Sequence, residues 1–205
     1  MSKGEQTRRR IIARAAGIFN VQGFSGTSMG DLTRATGFEK GGIYNHFSSK
    51  EALALAAFDY AVELIAQRFH DALAGQERAV DRLLAIVGVF QRYVIDPPLP
   101  GGCPVLNTAI EADDSSSTLR AHAQAAMTSW QKLIGKTVKT GVERGELRPD
   151  AEPRAVATIV TATLEGAVML SQLYDDPAYM HRAVEHLTAY LQSLVVDSTT
   201  PAQPA

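Results

Sequence analysis

The chain has 205 residues, of which 45% are hydrophobic, enough for a sizeable core, and this argues against wholesale disorder. Its single cysteine, Cys103, rules out an intramolecular disulfide and a cysteine-cluster zinc site, and the absence of about 18 uninterrupted apolar residues argues against a membrane span. The net charge of −2 hides an asymmetry: residues 1–50 carry eight Lys/Arg against three Asp/Glu, leaving 12 against 19 in the rest. A basic head on an acidic body points to a polyanion partner for the head alone. The amino end is polar and basic from Lys3 to Arg10 and lacks an apolar signal segment, so the cytoplasm is the expected address.

Helical periodicity dominates, with no convincing alternating strand. A first helix is predicted over about Glu5 to Val21, with Ile11, Ala15, Ile18 and Phe19 as its apolar stripe and Gly23 as its stop. Ser28 and Asp31 have capping-box spacing and open a short helix to Ala35-Thr36, ended by a turn at Gly37. Another short helix is predicted from about Lys40 to Phe47. Ser48 to Glu51 offers a second capping box for a long helix towards Ala74-Gly75. Val80, Leu83, Leu84, Val87 and Val94 mark the next helix, and the proline- and glycine-rich stretch 96–102 ends it. A short helix through Asn107 to Ala112 follows. Longer ones are predicted over about 119–141, Pro153 to Tyr174 and Pro177 to Val196, with a Ser/Thr/Pro/Ala-rich tail after them. The expectation is an all-α fold of about nine helices.

The segment 28–47 has the form of a helix-turn-helix, two short helices joined by a glycine turn. Leu32, Ala35, Ile43 and Phe47 have the spacing of the apolar seam between them, with Phe24 and Phe38 closing the ends. The opposite face of the second helix would present Lys40, Gly42, Asn45 and His46, residues suited to phosphates and base edges in a major groove.

These residues resemble the TetR family of bacterial regulators. The match runs through Gly23-Phe24, Gly26-Thr27-Ser28, Asp31-Leu32, Thr36-Gly37 and the run Gly41 to Phe47, followed by Ser49-Lys50-Glu51. It covers roughly residues 7–60, and beyond it only the helix count and order look similar. The resemblance implies a DNA-binding domain over 1–48 and a ligand-binding and dimerisation domain over 49–197, while the composition of 198–205 implies a disordered tail. It also implies that Thr27 or Ser28 caps the helix that crosses the DNA backbone and touches a phosphate. Tyr44, His46 and Lys50 would contact further phosphates, while Lys40, Gly41, Gly42 and Asn45 face the groove. Glu39 and Gly42 depart from the commoner pattern: Glu39 either favours the helix amino end or accepts from cytosine N4, and Gly42 leaves readout there to backbone approach or DNA shape.

A lone helix-turn-helix makes few base contacts, so such regulators pair to read two half-sites. The resemblance places the homodimer interface on the last two long helices. The stretch 155–164, apolar or small almost all round, suits a helix buried on two sides, and Met180, Ala183, Leu187, Tyr190, Leu191 and Leu194 form a stripe on the last helix. A small-molecule pocket among the central helices is also implied. Its candidate lining residues are Phe58, Phe69, Phe90, Tyr93, Met127, Trp130 and Met169, each also readable as plain core. Glu165 interrupts an apolar helix, either at the interface rim or as a polar anchor in the pocket. Cys103, at a loop-to-helix junction, is either inert core or an electrophile and redox sensor.

No enzyme signature is present, His181 and His186 are poorly spaced to share a metal, and Glu111, Asp113 and Asp114 read as a solvated acidic loop. No metal, cofactor or membrane partner is expected. The expected function is a repressor released from a near-palindromic double-stranded operator by an effector. Electrophile sensing through Cys103, or architectural DNA binding without a ligand, are the alternatives.

Overall fold

The structure, a computed structural model, describes residues 2–112 and 116–196. The expected tail over 198–205 and the residues Asp113 and Asp114 lie outside the described residues. Among the described residues there are nine helices: α1 (Lys3–Gly26), α2 (Met29–Thr36), α3 (Lys40–Tyr44), α4 (Lys50–Leu73), α5 (Ala79–Ile95), α6 (Pro104–Glu111), α7 (Ser117–Glu143), α8 (Pro153–Leu173) and α9 (Ala178–Ser193). One isolated antiparallel bridge, Leu147 with Val195, is the only strand-like pairing among them.

Local chemistry sets the boundaries. Ser2 and Glu5 cap α1 reciprocally, and Ser28 and Asp31 do the same for α2. The Ser28 hydroxyl and backbone N–H hold the Asp31 carboxyl below its usual range. That cap is therefore intact above the unfolded carboxyl pKa and is lost as pH falls through the lower folded value. Gly37, left-handed at φ 72, ends α2 as expected, and its N–H bonds the Thr33 carbonyl. The cap of α4 is Ser49 rather than Ser48: its Oγ accepts from the Ala52 N–H at 3.0 Å, so the helix starts one residue later than the capping-box spacing suggested. Proline at the first position opens α6 and α8, where the lost N–H has no intrahelical partner in any case.

The chain packs as two compact units, one gathering residues up to Arg68 with Tyr93–Thr128, the other Phe69–Arg92 with Ser129 onward. In the first, Ile11, Ala15, Leu32, Ile43, Phe47 and Leu53 form a dry core, each under 5% exposed. Burial of each large member contributes roughly 1.5–3 kcal/mol, so this cluster fixes α2 and α3 against α1 and α4. Ala35 is only half-buried at the seam.

In the second unit α8 packs on α9. One expectation needs correction there. The stripe on α9 is spent inside the chain: Met180, Leu187, Leu191 and Leu194 are all at most 6% exposed. Within the single chain α8 is buried on one side and open on the other. Val156, Ala157, Val160, Leu164 and Val168 face inward, while Ala155, Ile159, Ala162, Met169 and Leu173 are exposed.

Candidate DNA-binding interface and effector cavity

Between α1 and α2 the backbone is held from two sides. Gly23 breaks α1 at φ 75, ψ 170. The N–H groups freed by the break, those of Phe24 and Ser25, donate to the two Glu111 carboxylate oxygens at 2.8 and 2.7 Å. Glu111 is therefore no solvated loop acid but a cap reaching 87 and 86 residues back along the chain. Opposite in charge, Lys50 donates from Nζ to the Phe24 and Thr27 carbonyls at 2.8 and 2.9 Å, and its ammonium lies 4.3 Å from the centre of the Phe24 ring. Two of its three donors are thus committed within the chain, which makes Lys50 first a clasp for the turn.

The hydroxyls expected at the DNA divide their tasks. Ser28 is exposed and caps α2. Thr27 is 1% exposed and its Oγ donates to the Gly23 carbonyl at 2.6 Å. Its side chain is therefore structural, because a buried hydroxyl must find its partner inside, which leaves Ser28 as the one of the two open to a phosphate.

On α3 the exposed residues are Lys40, Gly41 and Tyr44, with Glu39 before and Asn45 after, while His46 is half-buried. Ile43 anchors the helix from beneath at 1% exposure. Glu39 occupies the N-cap position through its backbone, and its carboxylate makes no cap hydrogen bond. The two glycines differ. A Cβ at Gly41 would meet nothing within 4 Å, and one at Gly42 would make only an ordinary 3.9 Å contact with the Phe38 Cβ, so neither glycine is required by lack of space. The helix ends at Tyr44 rather than Phe47, with a turn through His46.

A second set of polar bonds secures the loop before α6. Asn20 donates from Nδ2 to the Pro100 and Gly102 carbonyls, and Asn107 donates from Nδ2 to the Asn20 carbonyl and Oδ1 and to the Gly101 carbonyl. Tyr93 joins them, its hydroxyl donating to the Gly102 carbonyl at 3.1 Å. No sequence pattern marks the pairing of Asn20 with Asn107, since amides 87 residues apart leave no periodic signal.

Of the pocket candidates, the structure brings three together. Phe69, Phe90 and Trp130 pack mutually with ring centroids 5.8–6.1 Å apart, two of the contacts edge-to-face. With Ile86, Leu133, Ile134, Leu164 and Thr161 they line a cavity within the second unit. The Thr161 hydroxyl is buried there and has no hydrogen-bond partner. Thr161 was missed because it is one of three threonines, with Thr158 and Thr163, in a run of small and apolar residues, and nothing local singles it out. Glu165, one turn on, is 5% exposed, so it stands at no solvent rim.

Phe58, Tyr93, Cys103 and Met127 belong to the first unit and do not line this cavity. Phe58 packs edge-on to His122 at 6.4 Å. Cys103 is 3% exposed at the N-cap of α6, and Met127 is half-buried. Met169, expected in the pocket, is instead 47% exposed on the outer face of α8. An apolar helix without a polar side offers nothing to phase it.

The exposed, groove-sized α3 on a capped α2, set in a basic head, defines a helix-turn-helix regulator that binds DNA. The family model for bacterial regulatory proteins of the tetR family matches residues 11–57, and that for a tetracyclin repressor-like C-terminal domain matches residues 79–187. A crystal structure of a TetR transcriptional regulator from Chloroflexus aurantiacus is 48% identical, covering 95% of this chain and 98% of that one, with a TM-score of 0.92. A TetR-family regulator from Cytophaga hutchinsonii is 36% identical over 97% of this chain and 99% of that one, with a TM-score of 0.88. Among curated relatives, the HTH-type transcriptional repressor DhaR of a Mycobacterium species is 28% identical over 79% of this chain and 80% of its own length. The chain belongs to the TetR family of transcriptional regulators.

Proposed function

We propose that the protein is a cytoplasmic, homodimeric repressor that leaves a near-palindromic operator when a small molecule enters the cavity of Phe69, Phe90 and Trp130. The observation that carries the effector half of this reading is the Thr161 hydroxyl. A helical threonine ordinarily satisfies itself on the carbonyl four residues back, as Thr36 and Thr137 do here. Thr161 does not, and a buried polar group left unpaired costs about 1–3 kcal/mol. The cavity is small, about 10 Å³, room for little more than one water. An effector therefore reaches that hydroxyl only by parting the three rings, and an apolar molecule with one hydrogen-bonding group fits such a site.

Dimerisation rests on α8. Its exposed residues Ala155, Ile159, Ala162, Met169 and Leu173, with half-buried Gly166 between them, recur at alternating four- and three-residue steps. That is the seam of a packed helix pair, and its small residues allow close approach. By length and composition α8 could cross a membrane, but half of its most apolar window is buried in its own unit. A second copy of the chain accounts for the other half. The burial of Cys103 weighs against electrophile sensing, which needs access to the sulfur. The acidic balance of residues 51–205 weighs against an architectural binder, which spreads positive charge.

Selection of genomic fragments by the purified protein at near-physiological salt tests the reading. A near-palindromic site is the expected product, and candidate effectors should then lower affinity for it, with coupling that is reciprocal. Selection of DNA without a motif, by binding that collapses on adding salt, would overturn it in favour of non-specific association.

On the recovered operator, Asn45→Ala should change preference at one or two base positions, each by about 1–3 kcal/mol. His46→Ala and Tyr44→Phe should weaken all sequences alike. Competition binding to a set of single-base operator variants reads both outcomes. A reordered preference in His46→Ala would refute its assignment to phosphate.

A further inference from the structure

The helix-turn-helix accounts for neither Arg8 nor Arg10. Both lie on α1, outside the motif, and both are exposed, yet each guanidinium is held in place. Arg8 Cζ stands 4.9 Å from the centre of the Phe47 ring, and Arg10 Cζ stands 5.7 Å from that of Phe38. Phe38 comes just before α3 and Phe47 just after it, so the two cations are tied to the two ends of the groove-facing helix. At about 1.5 Å per residue α3 is only some 7.5 Å long, while the major groove is about 12 Å wide and walled by phosphates on both sides. A helix that short leaves a gap on each side that a long side chain at its end has the length to span.

Their neighbours are otherwise engaged. Arg14 donates from Nη1 to the Thr36 carbonyl at 3.1 Å, closing the end of α2. Arg9 acts on Glu5, whose carboxyl is held below its usual range chiefly by Ser2 and, last among the causes, by the Arg9 charge. Arg8 and Arg10 have no carboxylate partner among the described residues. Stacking on a ring keeps the full charge while restricting the rotamers of a long side chain, so part of the ordering entropy is already spent before DNA arrives.

We infer that Arg8 and Arg10 are phosphate-gripping residues, preset by Phe47 and Phe38, that clamp the operator backbone on either side of α3. This rests on the dimeric, operator-binding reading above. The test measures the dependence of operator affinity on salt, with the selected duplex as probe, for wild type, Arg8→Gln, Arg10→Gln and the two lysine variants. Each phosphate contact removed lowers the slope of log K against log salt by about 0.9, and a dimer presents each arginine twice, so each glutamine variant should lose about 1.8. Base preference should stay as in wild type, and lysine, which keeps the charge without the stacking geometry, should restore the slope. A steep wild-type slope left unchanged by both glutamine variants would overturn the assignment alone. A wild-type slope near zero would overturn it together with the reading on which it rests.

Discussion

Gly23→Ala should lower stability by about 3 kcal/mol and the melting temperature by roughly 10 °C. At φ 75, ψ 170 the residue sits in a region open only to glycine, where other residues pay about 1–3 kcal/mol. The added Cβ would also fall 2.7–2.8 Å from the Glu111 carboxylate, too close for any contact. The carboxylate can swing aside, but then the Phe24 and Ser25 N–H groups lose their acceptor, and a hydrogen bond to a charged group is worth about 1.5–3 kcal/mol. Thermal unfolding of Gly23→Ala, Glu111→Ala and the double variant separates the two costs. Because one change relieves the clash caused by the other, the double variant should lose less than the sum of the singles. A Gly23→Ala protein as stable as wild type would show that the break is incidental.

On the proposed dimeric reading, Met169→Lys should give a monomer and reduce operator affinity at least about 100-fold, towards the level of non-specific binding. The side chain is 47% exposed in the single chain, so an ammonium there can reach water and the single chain should still fold. Against a second copy the same charge would be desolvated within an apolar seam, which costs several kcal/mol per ion. A monomer then engages one half-site where the dimer engages two. Sedimentation and operator titration on one preparation check both halves of the expectation. A variant that remains dimeric with unchanged affinity would move the interface away from this face of α8.

Much of the fold was legible because it is written in local chemistry. Ser28 with Asp31, the turn at Gly37, and Leu32, Ile43 and Phe47 as a seam are short-range patterns, and the structure shows each of them. What escaped was whatever depends on direction or distance. Adjacent hydroxyls at 27 and 28 look alike in sequence, and only packing decides that Thr27 turns inward. The stripe of α9 could as well have met a partner as its own chain. The α8 helix has apolar residues on every side, so periodicity could not place Met169. Glu111 read as one acid of an exposed cluster because its two partners lie on α1, more than 80 residues away.

The clasp around residues 23–27 has a further consequence, for how the protein can be retuned. A carboxylate from α6 and an ammonium from α4 hold one short peptide segment, and the helix-turn-helix starts directly after it. The angle at which α2 and α3 are presented is therefore written partly outside them. Mutational drift in α6 or its preceding loop can loosen operator binding without altering a single residue that faces DNA. A genetic screen for derepression should then return changes at Asn107 and Glu111 beside those in α3, with the operator sequence preferred by the survivors unchanged.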